Sequence, residues 1–441
     1  MKKLLILAYD FPPYVSVGGL RPYSWYKHLK EFGVEPIVVT RQWENHYGNE
    51  LDYVAPSASK NTIVEETEYG TIIKAPYTPT FSNRLLLKYG EQRFQLIRKT
   101  FTAFSEFLQY FLPIGPKRSI YISAREYIKN NQVDAIIATG DPFVLFHYAN
   151  LLSKEFNTPW VADYRDPWSQ NIKRHKFKTE HFINQFAEKK TLKSVNLITC
   201  VNSIKDTIQS FSPQKKVVSL ANGYDSELID SIADLPQASK KLSFSIVGTI
   251  YQWHPWQSVV KTFSRFLEQK NDVAMQLNFY GVNCVEEVKQ FILHLPPKTQ
   301  ASIAIYPRME NAKLLEKMAQ ENVMILFNYY HFDGTKIYDY LAVRRQILLC
   351  YSNDPKALKL KQNFLDTDDN KHFTQRPQIE VLHKTNGGII VENEEHLVHV
   401  LGDLYQEFIL TGKIACHSKN VEQYSRKVQT QHLASLIQSI K

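Results

Sequence analysis

The 441-residue sequence predicts two doubly wound α/β domains, and three observations carry that expectation. Short apolar, β-rich runs alternate with helical stretches, the pattern of parallel βαβ units. The alternation breaks at a polar segment, 222–241, which contains Gly223 and Pro236, and then begins again. The chain is too long for one core and suits two domains of about 200 residues each.

The first series opens with residues 3–9, an apolar run bounded by turn residues and so expected to be a buried parallel strand. Its Lys-rich start resembles a leader peptide, but Asp10 and Pro12-Pro13 end the run early and no small-residue cleavage site follows. Residues 20–32 have helical period and end at Gly33, expected as a C-cap. Further strands are expected at 36–40, 133–139, 159–164, 197–201 and 216–220, with helices over 143–156, 176–193 and 203–211. The second series has strands expected at 242–247, 273–280, 302–306, 323–327, 346–350 and 388–391. Helices over 256–269, 285–294, 311–320 and 336–342 lie between them.

Two stretches interrupt the alternation. Residues 81–113 read as a helical insertion, rich in aromatic residues and in Arg84, Lys88, Arg93, Arg98 and Lys99, with Lys117 and Arg118 just beyond. Either it is a hairpin packed on its own domain, or it is an interfacial surface that meets anionic lipid. Residues 365–378, with Asp366, Asp368 and Asp369, read as a solvated loop rather than a metal site.

Composition excludes several classes. Lys and Arg number 53 against 44 Asp and Glu, giving a net charge of +9, yet there is no Lys/Arg block and no nucleic-acid-binding motif. The excess fits an anionic substrate or an anionic membrane surface. No apolar stretch reaches the roughly 18 residues that a membrane span needs. Cys200, Cys284, Cys350 and Cys416 are scattered without CxxC spacing, which implies neither a zinc site nor a disulfide framework.

Three segments carry chemistry. Gly18-Gly19 lie in the loop between the first strand and the first helix, where paired glycines let backbone amides approach an anion. The loop lacks the GxGxxG spacing of a dinucleotide fold, and a tight turn is the plain alternative. Asp163-Tyr164-Arg165-Asp166-Pro167-Trp168 ends a strand with three charges, which are costly there unless paired or functional. Asp163, Arg165 and Asp166 are the candidate catalytic residues, with a salt-bridged strand end as the alternative. The third segment is His331-Phe332-Asp333-Gly334-Thr335-Lys336-Ile337-Tyr338-Asp339. Amides at Gly334 and Thr335 would face a phosphate, Lys336 would add a full charge, and Asp339, four residues after Thr335, shares its helix face. A solvated amphipathic helix is the alternative.

These segments, in this order, resemble glycosyltransferase family 4, whose members are retaining enzymes with the GT-B fold. The resemblance runs over nearly the whole chain. Residues 163–168 look like the ADxRDPW segment of one bacterial subgroup, and Leu220-Ala221-Asn222-Gly223-Tyr224-Asp225 looks like the PNGxD run that closes the first domain. Ile246-Val247-Gly248-Thr249-Ile250-Tyr251 looks like the glycine-bearing strand that opens the second, and Lys336-Ile337-Tyr338-Asp339-Tyr340-Leu341-Ala342 looks like the family's K(I/L)xEYLA helix. The family's donor signature is a pair of glutamates with seven residues between them; here those places hold His331 and Asp339.

The resemblance implies domains at 1–225 (with the insertion 81–118) and 240–415, gripping a nucleotide sugar between them, and a last segment, 418–441, that crosses back to the first domain. The apolar spacing of Leu433, Leu436, Ile437 and Ile440 suits that packing. Donor contacts are expected from Gly18, Gly19, Gly248, His331, Gly334, Thr335, Lys336 and Asp339, with no metal and no other cofactor. The implied acceptor is a glycan or a lipid-linked precursor of bacterial surface polysaccharide. The expected location is the cytoplasm, with peripheral contact to the membrane's inner face. A GT-B epimerase and a catalytically silent nucleotide-sugar-binding subunit remain the alternatives.

Overall fold

The computed structural model describes the chain except residues 45–50, 52, 172–177, 233–234, 271, 331, 365–375 and 441. His331 and the three aspartates at 366, 368 and 369 therefore lie outside the described residues. The chain forms two compact units. The first comprises Met1–Ala221 together with Arg426–Lys441, and the second Asn222–Ser425.

The first unit is built on β1 (Lys2–Leu7), β2 (Val34–Arg41), β3 (Ile63–Glu66), β4 (Thr71–Ala75), β5 (Ala135–Gly140), β6 (Trp160–Tyr164), β7 (Leu197–Cys200) and β8 (Val217–Ser219). Their order across the sheet is β3-β4-β2-β1-β5-β6-β7-β8, and all pairs are parallel except β3 with β4. Leu4 to Leu7 are wholly buried because β1 is central and covered on both faces, which is why it reads as an unbroken apolar run. β3 and β4 escape sequence reading. They are short, and their runs IVEE and TIIKA carry charges, as an outer edge allows.

The first helix, Val17–His28, continues as a 3-10 turn to Phe32, and Gly33 caps it in the left-handed region. The last helix, Arg426–Ser439, packs on it. Leu433, Ala434 and Ile437 share a core with Trp25, Tyr26 and Leu29. Ser24 and Thr430 hydrogen-bond, and the Lys2 ammonium donates to the carbonyls of Ile437, Gln438 and Ile440 at the helix end. A cation there both satisfies free carbonyls and complements the helix dipole.

The second unit holds β9 (Lys241–Val247), β10 (Ala274–Tyr280), β11 (Ile303–Tyr306), β12 (Val323–Phe327), β13 (Gln346–Cys350) and β14 (Gly388–Val391). The order is β11-β10-β9-β12-β13-β14, parallel throughout. One face is closed by the helices Trp256–Glu268 and Glu394–Thr411, which bury Val259, Phe263, Phe266, Leu401, Leu404 and Phe408.

In both units the chain leaves the centre of the sheet in one direction and later returns to build in the other. The switch points lie between β1 and β5 and between β9 and β12. Ligands of open α/β sheets bind beyond the strand C-termini at such points. All four cysteines are free thiols, Cys200 and Cys350 being buried. Among the described residues, no helix is long and apolar enough to cross a membrane.

Candidate functional site

At the first switch point, the loop after β1 folds around Asp10. Ser16 Oγ donates to Asp10 Oδ2 at 2.7 Å and accepts from the Gly18 amide at 3.0 Å, so one hydroxyl caps the first helix and holds the carboxylate. Asp10 Oδ1 is buried without a hydrogen-bond partner. Burial pushes the Asp10 carboxyl up, opposed by the Ser16 hydrogen bond and the charge of Arg165. Gly18 is needed for space: a Cβ there would collide with Arg165 Nη1 and stand 2.7 Å from Asp10 Oδ2. Gly19 brings its backbone against the Asp10 carbonyl, 3.3 Å from where a Cβ would lie.

Arg165 reaches this cluster from the end of β6. Its Nε donates to the Gly140 carbonyl at 2.7 Å and its Nη2 to the Asp141 carbonyl at 2.8 Å. Lys117 lies close enough to feel the charges of Asp141 and Asp10, and burial is the main force lowering its ammonium. Asp166 is exposed beside this group. Trp168, stacked on Phe143 at 5.1 Å with an interplanar angle of 1°, anchors the segment that carries Arg165 and Asp166.

Asp163 has a different setting. It is wholly buried, and its carboxylate accepts from Arg21 Nη2 at 2.6 Å, Thr199 Oγ1 at 2.7 Å and Thr139 Oγ1 at 3.0 Å. Arg21 also donates to the Leu220 carbonyl at 2.8 Å. One carboxylate thus ties β5, β6, β7 and the first helix together. Its oxygens are filled by three donors and none of its surface is exposed.

At the second switch point, the loops after β9 and β12 meet. Gly248 has φ +69, and a Cβ there would lie 3.1 Å from Lys336 Cε. Only glycine combines that backbone with that neighbour. The Lys336 ammonium donates to the Thr249 carbonyl at 2.9 Å. Burial alone pushes it down to about 8, although the side chain is still half-open to solvent. Lys336 begins the short helix Lys336–Ala342, preceded by Gly334 at φ +67 and by Thr335 at the N-cap. Asp339 is half-buried one turn on, and Asp333 accepts from the Tyr338 hydroxyl at 2.7 Å.

Aromatic rings line the same two loops. Tyr251 stacks on Trp253 at 4.6 Å and 7°, Tyr329 meets Tyr251 edge-on at 5.7 Å, and His254 lies 5.3 Å from each tyrosine ring. Such rings can stack on a flat base or on the apolar face of a sugar.

The structure therefore groups Gly18, Gly19, Arg165 and Asp166 in the first unit and Gly248, Gly334, Thr335, Lys336 and Asp339 in the second. It removes Asp163 from the surface. Asp10 and Asp141 in the first unit, and Trp253 and Tyr329 in the second, join these groups without a signal in the sequence; Lys117 and Tyr251, which the sequence offers only within the basic stretch and the strand motif, join them as well. Among the described residues, no group of three His, Cys, Asp or Glu is placed to hold a metal ion.

If an anion binds at Lys336, the lowered ammonium makes that binding depend on pH. The ammonium is charged below about 8 and neutral above it. A bound diphosphate stabilises the charged form, so affinity should be highest below that pH. Between pH 7 and pH 9 it should fall by roughly ten-fold. Calorimetric titration of a nucleoside diphosphate at the two pH values checks this; a flat profile would mean that Lys336 does not face the ligand.

No family profile matches the chain, and no curated protein matches it in sequence. Solved structures match along nearly its entire length. An α,α-trehalose 6-phosphate synthase from Burkholderia multivorans superposes with a TM-score of 0.58 at 11% identity, covering 100% of this chain and 99% of that one. Sucrose-phosphate synthase from Thermosynechococcus elongatus gives 0.53 at 11% identity, over 100% and 95%. An E. coli structure described as trehalose-6-phosphate bound with UDP-2-fluoro glucose gives 0.54 at 9% identity, over 99% and 96%. At these identities the likeness is one of fold. The chain has the GT-B fold, two doubly wound α/β units with sheets of eight and six strands.

Proposed function

We propose that the chain is a retaining, family 4-like glycosyltransferase that moves a sugar from a nucleoside diphosphate sugar to a glycan or lipid-linked acceptor of surface polysaccharide synthesis, at the inner face of the cytoplasmic membrane. One observation carries the reading: a lysine ammonium, partly withdrawn from solvent and packed against a left-handed glycine, stands at the switch point of an α/β sheet. Burying a cation is unfavourable unless an anion meets it.

In this reaction the bond from the anomeric carbon to the diphosphate oxygen breaks and the diphosphate leaves with the electron pair, while an acceptor hydroxyl oxygen bonds to the same face of that carbon and gives its proton to the departing diphosphate. Lys336, packed on Gly248, and the amides at Gly334 and Thr335 balance the charge that develops. No metal is required for that task. Asp339 accepts from the ribose hydroxyls, and His331 is assigned to the transferred sugar. In the first unit, Arg165 and Asp166 orient the acceptor, with Gly18 and Gly19 letting the loop close on Arg165 and Asp10. Asp163 is assigned a positioning role: it fixes the strand end from which Arg165 projects. Asp10 joins the acceptor group because its free buried oxygen can accept from a hydroxyl.

A thermal-shift screen across UDP, GDP, ADP and their sugar conjugates tests the donor half. Absence of any shift would sink the reading. Product analysis with and without an acceptor then separates the alternatives: an altered sugar nucleotide formed without acceptor means epimerisation, and binding without turnover means a silent subunit. Asp10→Asn keeps the shape and the Ser16 contact but loses the carboxylate. It should leave the donor thermal shift in place and lower transfer by about ten-fold or more. Equal turnover would take Asp10 out of the site.

A further inference from the structure

The insertion between β4 and β5 folds as two helices, Phe81–Tyr89 and Gln95–Leu108. The second is amphipathic, and its apolar face is left open to solvent. Phe94, Leu96, Ile97, Phe101, Phe104 and Phe107 fall within one arc of about 160° at 100° per residue. All six are exposed: Leu96 keeps 82% of its surface, Phe104 62% and Phe101 52%. Polar groups hold the hairpin together beneath it, although Gln95, Lys99, Thr102 and Glu106 on the other side are exposed too. Ser82 Oγ shares a hydrogen bond with Thr102 Oγ1 at 2.9 Å and donates to the Arg98 carbonyl at 3.1 Å, and Gln109 is buried. No residue of the second helix itself is buried. The insertion is thus not a hairpin that buries its apolar face on its own unit. Exposed apolar patches of this kind mark surfaces that something else covers.

We propose that this hairpin docks the protein on an anionic lipid bilayer, with the apolar face of the Gln95–Leu108 helix in the acyl boundary. Charge selects the occupant. The hairpin carries Arg84, Lys88, Arg93, Arg98 and Lys99 against Glu91 and Glu106. A second copy of the chain would bring the same cations face to face, which is repulsive. An anionic bilayer offers the opposite charge to the rim. Its fluid interior accepts the exposed rings, of which Phe101 leans edge-on against Phe81 at 5.2 Å, without needing a complementary shape.

The test is flotation of the full chain with vesicles, without nucleotide, so that its outcome is independent of any sugar transfer. Vesicles of phosphatidylcholine mixed with phosphatidylglycerol should carry the protein, vesicles of phosphatidylcholine alone should carry much less, and added salt should weaken binding. The double variant Phe101→Ser/Phe104→Ser should lower the partition coefficient at least about ten-fold. Both rings are exposed, so its melting temperature should match the parent's, which separates lost docking from lost folding. Three results would overturn the proposal: no flotation with anionic vesicles, undiminished flotation of the double variant, or a dimer in sedimentation that the double variant dissolves while vesicles bind neither form.

Discussion

Lys336→Ala is expected to weaken nucleoside diphosphate binding by at least about ten-fold, the loss that follows when one charge-assisted contact of roughly 1.5–3 kcal/mol is removed. Folding should not suffer in parallel. The ammonium is disfavoured by its surroundings, as its fall to about 8 records, and its one hydrogen bond here is to the Thr249 carbonyl. Alanine gives up that bond but also relieves the buried charge, so the two contributions oppose each other. Calorimetric titration of UDP, GDP and ADP, alongside a thermal melt of the free variant, measures both. A folded variant with unchanged affinity for a diphosphate that the parent binds would remove Lys336 from the site.

Arg21→Met is expected to give the largest loss of stability. It strands the Asp163 carboxylate, wholly buried, with only the hydroxyls of Thr139 and Thr199. Breaking one side of a buried ion pair costs roughly 3–5 kcal/mol, because the remaining charge is uncompensated. For a unit of this size that lowers the melting temperature on the order of 10 °C. Adding Asp163→Asn should recover part of the loss, since the charge itself is then gone. Scanning calorimetry can follow the transition of the first unit. A single variant that melts with the parent would show that the pair does not hold the four elements together.

The same pair shows where sequence reading reached its limit. Asp163 stands in a charged strand end, and its neighbours along the chain suggest chemistry. Its actual partners, Arg21, Thr139 and Thr199, come from other elements, and only the folded sheet reveals that they fill it. Asp10 is the converse. In sequence it merely ends an apolar run, and nothing in its spacing predicts that Ser16 and Arg165 converge on it. Lys117 counted as one more cation of the insertion, yet it lies near Asp141 and Asp10. The aromatic group of Tyr251, Trp253 and Tyr329 was hidden for a related reason, since rings abound in this chain and most are core.

What was legible had local causes. The buried central strands announce themselves as apolar runs, Gly33 ends its helix in the left-handed region, and the two series of strands and helices repeat around a polar break. The helix Lys336–Ala342 has the bounds its sequence suggested, and the glycine before it has positive φ. β3 and β4 escape sequence reading because both are short, and β3, at the sheet edge, need not be apolar. The character of the 81–113 insertion could not be settled by periodicity, which reports that a helix has two faces but not which of them turns outward.

The return of the last helix to the first unit has a consequence for synthesis. On a ribosome adding about 5–20 residues each second, residues 1–221 emerge well before their closing piece. Trp25, Tyr26 and Leu29 then wait, without Leu433, Ala434 and Ile437, while all of 222–425 is made. The unit encoded second can be complete first, and the nascent N-terminal half carries an uncovered apolar stripe until the final turns appear. A stop codon at 426 would spare every strand of both sheets and still injure the opposite end of the gene product.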